Sequence, residues 1–211
     1  MVVLLVNEPT KIAFTGKLRS GKTEAARYLE LYHDFERLSF GAALKRNADE
    51  LFDGYSTYPS KEVEYGAPCP FTGERPTMTK KPRKRYVDFG QMMRQLDPDI
   101  WVRHLAFMYE HYVDSRSTVG IVIDDLRQPN EYEWLRKNGF VIVRVNANED
   151  TRIERAKAEG DDFTLEDLRH STELYVDDFE VDYDIWNDGE DISELERKVD
   201  EIVAKITEGA D

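Results

Sequence analysis

Short runs of apolar residues alternate along this chain with longer stretches in which apolar residues recur every three or four positions. The runs are KIAFT at 11–15, FERLSF at 35–40, VGIVI at 119–123, FVIVRV at 140–145 and YDIW at 183–186. A short apolar run bounded by polar or glycine-rich residues predicts a buried strand. The stretches between them predict helices. At 21–32, Ala25, Ala26 and Leu29 share one face, and a second helix is predicted at 42–52. Over 99–113, Trp101, Leu105, Met108 and Tyr112 form a stripe, with Asp97-Pro98 at its entry. Residues 130–137 make a short helix closed by Asn138-Gly139, residues 149–159 a charged one, and 165–173 another. Ile192, Leu195, Val199, Ile202 and Ile206 mark a C-terminal amphipathic helix. Residues 2–6 fit a short strand or an ordered tail equally well.

Strands that alternate with helices from start to finish specify an α/β fold, a parallel sheet with helices on both faces. A length of 211 residues fits one domain with a small lid. Residues 54–85 break the pattern: they are rich in Pro, Gly, Tyr and Thr and end in the basic run Lys80-Lys81-Pro82-Arg83-Lys84-Arg85. A stretch of that length without periodicity reads as a long functional loop or insertion.

Composition narrows the chemistry. The formal net charge is -14, which repels both a nucleic-acid backbone and an anionic membrane surface. A polymeric nucleic-acid substrate and a membrane partner are therefore not expected. The single Cys69 allows no internal disulfide and fits a reducing, cytoplasmic compartment. The histidines are scattered without zinc-site spacing. An acidic protein that handled anionic ligands would have to concentrate its cations in one cleft.

Gly16-Lys17-Leu18-Arg19-Ser20-Gly21-Lys22-Thr23 completes the pattern GxxxxGK[ST], between a predicted strand and a predicted helix. Its glycines let backbone N–H groups of Gly16, Lys17, Ser20 and Gly21 turn inward as an anion nest, and the helix N-terminus adds partial positive charge. Lys22 would reach the β- and γ-phosphates of ATP, and Thr23 would hold Mg²⁺ through its hydroxyl. Arg19 adds a further charge or is a solvated side chain. The strand at 119–123 delivers Asp124 and Asp125 to its C-terminal end, where ligands bind in open parallel sheets. Either carboxylate could serve Mg²⁺, and Asp124 could orient an acceptor. Lys45, Arg94, Arg127, Arg152 and Arg155 are the candidates for balancing donor and acceptor phosphates, with Arg127 a bidentate clamp. Arg152 and Arg155 lie three apart on one predicted helix and can share a face; Glu149, Glu154 and Glu159 offer them solvated partners instead. Trp101 reads as a core anchor and Asp97 as a helix cap.

Four segments together resemble the deoxynucleoside monophosphate kinases of tailed bacteriophages, within the P-loop nucleoside monophosphate kinase group. They are the loop Gly16–Thr23, the stretch Phe89-Gly90-Gln91-Met92-Met93-Arg94-Gln95-Leu96-Asp97-Pro98-Asp99-Ile100-Trp101, the stretch Ile123-Asp124-Asp125-Leu126-Arg127-Gln128-Pro129-Asn130-Glu131, and Tyr183-Asp184-Ile185-Trp186-Asn187-Asp188-Gly189. The resemblance implies a three-layer α/β/α P-loop domain over 1–211, with about five parallel strands in the order 2-3-1-4-5. It implies an acceptor-side insertion at about 54–96 and a lid at about 149–173. It implies phosphoryl transfer from ATP, with Mg²⁺, to a deoxynucleoside monophosphate. Arg94 and Arg127 would hold the acceptor phosphate, Arg152 and Arg155 would act from the lid, Asn187 would lie near the ATP base, and Lys45 would match a lysine after the second strand. A phage protein of this kind would work in the host cytoplasm, with a homodimer an open alternative. Two other readings remain: a P-loop kinase for another acceptor, such as dephospho-coenzyme A, and a nucleotide-binding switch without phosphotransfer.

Overall fold

The computed structural model describes residues 9–53, 83–115, 119–158, 175–189 and 191–208. Within them lie β1 (Thr10–Thr15), α1 (Lys22–Tyr32), β2 (Phe35–Leu38), α2 (Phe40–Asp53), α3 (Arg83–Leu96) and α4 (Ile100–Ser115). There follow β3 (Gly120–Leu126), α5 (Pro129–Lys137), β4 (Val141–Asn146), α6 (Glu149–Ala158), β5 (Tyr183–Trp186) and α7 (Ile192–Glu208). The expectations for 2–6, 54–82 and 165–173, Cys69 and most of the lid fall outside the described residues.

The chain divides into two compact units, residues 1–39 with 106–211, and residues 40–105. Of the stretch at 54–96, the described residues 83–96 fall inside the second.

In the first unit the strands form one parallel sheet, ordered β2-β3-β1-β4-β5. This is the P-loop α/β architecture in the order expected from the resemblance. Alternation along each strand divides the core. Ile12, Phe14, Val122, Val143, Val145 and Ile185 pack with Ala25, Ala26 and Leu29 of α1 and Leu195, Val199 and Ile202 of α7. Ala13, Ile121, Ile123 and Ile142 are their alternates on the strands and are equally buried. Gly120 pairs with Phe35, and a Cβ there would stand 2.5 Å from the Phe35 ring, so a bare backbone is needed where that ring crosses. Asp191 caps α7 by accepting from the Ser193 N–H at 3.0 Å. The hydrogen bonds from Ser193 hold its carboxyl below the ordinary aspartate range. Among the described residues no helix is long and apolar enough to cross a membrane.

The second unit holds α2, α3 and the start of α4 around Ala43, Leu44, Ala48, Phe89 and Trp101. Trp101 is 2% exposed and donates to the Gly90 carbonyl at 3.4 Å. Asp97, expected as a helix cap, instead accepts from the Asp99 N–H at 3.1 Å in the turn before α4 and pairs with Arg103, while the first helical bond of α4 runs from Arg103 N to Asp99 O.

Strand β2 stops at Leu38, short of the 35–40 expected, and Phe40 opens α2 instead. Two further elements depart from the sequence expectations. The strand expected over 119–123 continues through Asp124 and Asp125 to Leu126. It is a central strand, and its ladder with β1 reaches Leu126 opposite Thr15. Helix α3 was not expected, because Gly90 and the basic start weaken its local signal. Gly90 is there for packing: a Cβ on it would meet Leu44 of α2 at 2.5 Å.

Leu29 is fully buried between α1 and the sheet. Replacing it by alanine is expected to cost about 3 kcal/mol of stability, read as a lower midpoint in urea denaturation.

Candidate phosphate-binding site

Strand β1 ends at Thr15 and α1 begins at Lys22, so residues 16–21 make the whole turn. Gly16 has φ 140° and Gly21 φ 109°, which favour glycine, and Arg19 adopts φ 64°. Space demands the glycines as well. A Cβ on Gly16 would lie 2.2 Å from the Val145 carbonyl oxygen, and one on Gly21 would lie 2.2 Å from Asn187 Nδ2.

The loop carbonyls are taken up in sequence. Lys22, 6% exposed, donates its ammonium to Gly16 O at 2.5 Å and to Lys17 O at 2.7 Å. Arg152 donates through Nη1 to Leu18 O at 3.4 Å, and Arg155 through Nη1 to Arg19 O at 3.5 Å. Asn187 donates through Nδ2 to Ser20 O at 2.8 Å. The first bond of α1 then runs from Ala25 N to Gly21 O at 3.0 Å. A planar trans peptide carries its C=O and N–H in opposite directions. Carbonyls drawn toward these side chains therefore turn the following N–H groups the other way, except that the Ser20 N–H donates within the loop to Lys17 O at 3.2 Å.

The groups that hold the loop are themselves tied to the sheet. The Asn187 N–H donates to Asn146 O at 2.8 Å, extending the β4–β5 ladder. The Asn148 N–H donates to the Asp188 carboxylate at 2.6 Å, and Arg155 Nη2 reaches Gly189 O at 3.3 Å. Lys17 pairs with Asp177 at 2.6 Å on the surface. Arg152 is thus buried against the loop, and Arg155 is half-buried beside it. Among the described residues two buried polar atoms of this cluster have no hydrogen-bond partner, Ser20 Oγ and Arg152 Nε. Buried polar atoms of this kind require an explanation, and a polar ligand supplies one.

At the end of β3, Asp124 is buried and accepts from Arg37 Nη1 at 3.4 Å. Asp125 accepts from the Ser39 hydroxyl at 2.7 Å. Thr23 is exposed on the first turn of α1. Arg127 is half-buried just beyond β3. Its N–H and that of Gln128 both donate to Glu131 Oε2 at 2.9 Å. Lys45 lies exposed on α2 and Arg94 half-buried on α3, both in the second unit.

Several contributors were missed in the sequence. Glu131, 2% exposed, shapes the backbone at Arg127 through a capping box from Gln128, whose spacing was readable. Thr15 Oγ1 bonds Leu126 O at 3.2 Å and fastens the end of β1 to the end of β3. Arg37 and Ser39 reach the acidic pair across β2 and β3, which no local pattern announces.

A family model described as an AAA domain matches residues 12–169. A search of curated protein sequences gives no match. Among solved structures, TT1252 from Thermus thermophilus is similar at a TM-score of 0.55 and 15% identity, over 94% of this chain and 98% of that one. A sugar kinase from Janibacter sp. HTCC2649 gives 0.52 and 14% over 95% of each chain. Shikimate kinase from Acinetobacter baumannii, in complex with shikimate, gives 0.50 and 13% over 94% of this chain and 95% of that one. At such identities the likeness is one of fold.

Gly16→Ala places a methyl group on the Val145 carbonyl. It is expected to displace the loop and abolish nucleotide binding in calorimetric titration, with the far-ultraviolet circular dichroism of the sheet retained.

Proposed function

The chain belongs to the AAA domain family, and on that premise we propose that it is an ATP-dependent kinase whose acceptor is a deoxynucleoside monophosphate. The observation that carries the reading is the phosphate loop, with its carbonyls drawn to Lys22, Arg152, Arg155 and Asn187. The unpartnered Ser20 Oγ and Arg152 Nε support a polar ligand at the same corner. The choice of acceptor rests on the resemblance carried by the Arg94 and Arg127 segments. A nucleotide switch would have no use for acceptor cations on a separately packed unit, and Lys45 and Arg94 occupy one.

In the proposed reaction an oxygen of the acceptor phosphate attacks the γ-phosphorus in line. A new O–P bond forms, the bond to the β,γ-bridging oxygen breaks, and ADP leaves with that electron pair. No general base is required, because a monophosphate has its second pKa at about 6 and is already mostly ionised at neutral pH. Lys22, Arg152 and Arg155 would stabilise the charge spread over the transferring group. By the resemblance, Arg127 on the first unit is a candidate for holding the acceptor phosphate, with Asp124 orienting it, and Arg94 and Lys45 are the corresponding candidates on the second unit. The oxygen-only donors Thr23, Asp124 and Asp125 suit Mg²⁺, which would neutralise charge on the β- and γ-phosphates when bound with ATP.

The test is a coupled ADP-release assay with ATP and Mg²⁺ against deoxy- and ribonucleoside monophosphates, dephospho-coenzyme A and shikimate. Fast turnover with a deoxynucleoside monophosphate is the expected result. Turnover with another acceptor alone would replace the acceptor, and slow hydrolysis indifferent to every acceptor would favour the switch. Lys22→Ala is expected to lower kcat about a thousandfold. Arg94→Ala is expected to raise KM for the monophosphate about tenfold or more, with kcat nearly unchanged; full activity of this variant with every acceptor would remove Arg94 from the site.

A further inference from the structure

We propose that Asn187 is a positioning residue of the phosphate loop, one that aims its last peptide N–H through the Ser20 carbonyl, and that it does not read the nucleotide base. The inference rests on the phosphate-loop reading above.

Asn187 is only 7% exposed, and its side-chain amide donates to Ser20 O at 2.8 Å, a full-strength hydrogen bond. The approach is close enough to dictate the neighbouring residue, since a Cβ on Gly21 would stand 2.2 Å from Asn187 Nδ2. Asn187 is in turn fixed to the sheet by its own N–H on Asn146 O at 2.8 Å. The amide is therefore a rigid post to which the loop is tied.

The consequence follows from peptide geometry. Drawing the Ser20 carbonyl toward Asn187 turns the Gly21 N–H of the same plane away from it. Lys22 does the same for the two peptides that begin at Gly16 and Lys17. The peptides after Leu18 and Arg19 are held by the longer guanidinium contacts of Arg152 and Arg155. Asn187 makes the short contact at the loop's helix end. Without it a buried carbonyl loses its donor and the last loop peptide is free to rotate. That penalty falls on every ligand bound through phosphates, with or without a base. A base contact would fall on nucleotides alone.

The probes are ATP and inorganic tripolyphosphate, titrated calorimetrically into the full chain and into Asn187→Ala and the isosteric Asn187→Asp. Asn187→Ala is expected to weaken both ligands by the same factor, about tenfold, the size of one buried hydrogen bond. Asn187→Asp, which sets a carboxylate against the Ser20 carbonyl, is expected to lose at least as much for both. Weaker ATP binding with unchanged tripolyphosphate binding would overturn the proposal and make Asn187 a base contact. Unchanged affinity for both ligands in a folded variant would also overturn it. Thermal melting checks the fold: if the alanine variant unfolds, the isostere carries the comparison, and unfolding of both would mark Asn187 as a residue of the fold and overturn the proposal. Failure of the unaltered protein to bind either ligand would overturn the phosphate-loop reading itself, a result distinct from all the others.

Discussion

The direction of a few peptide planes between β1 and α1 is the constraint on which the rest depends. A backbone anion nest works only if successive N–H groups converge, and an isolated glycine-rich turn has no reason to hold them so. Here the carbonyls are drawn the other way by Lys22 at the start of α1 and by groups from distant parts of the chain: Arg152 and Arg155 from α6, and Asn187 from the turn after β5. Those anchors can meet only because the parallel ladders align the carboxyl ends of β1, β4 and β5. The sheet is thus the ruler for the loop. The glycines are the clearance it needs, against Val145 on one side and Asn187 on the other.

The same cluster answers an electrostatic question posed by composition. A chain of net charge -14 has collected Lys22, Arg152 and Arg155 around one loop. Arg152 is 5% exposed, and the partner its guanidinium shows is a carbonyl, a partial charge only. Burying a full charge against partial ones is costly unless a counter-charge completes the arrangement. A bound phosphate would do so, which links the energetics of the fold to the proposed function.

The second unit obeys a separate logic. Phe89, Trp101, Leu44 and Ala48 give it a small core of its own, and Tyr86 ties α3 to α2 through Asp49 at 2.8 Å.

The sequence by itself determined the features that local spacing encodes. The alternation of strands and helices, the inward face of α1 at Ala25, Ala26 and Leu29, the GxxxxGKT loop and an acidic pair at the carboxyl end of the run at 119–123 were all legible. Each is a periodicity or a motif within a few residues. Only the tertiary structure decided that β3 runs on through Asp124 and Asp125, because its end is set by its partner β1, whose Thr15 lies opposite Leu126, whereas the ladder with β2 stops at Ile123. Helix α3 was hidden for the same reason: Gly90 looks like a helix breaker until Leu44 is packed against it. Arg152 and Arg155 had acidic neighbours at helical spacing, and only the placement of α6 beside the loop chose backbone carbonyls for them. Asn187 and Ser20 are 167 residues apart along the chain. No local pattern can report a contact whose distance is set by the register of a whole sheet.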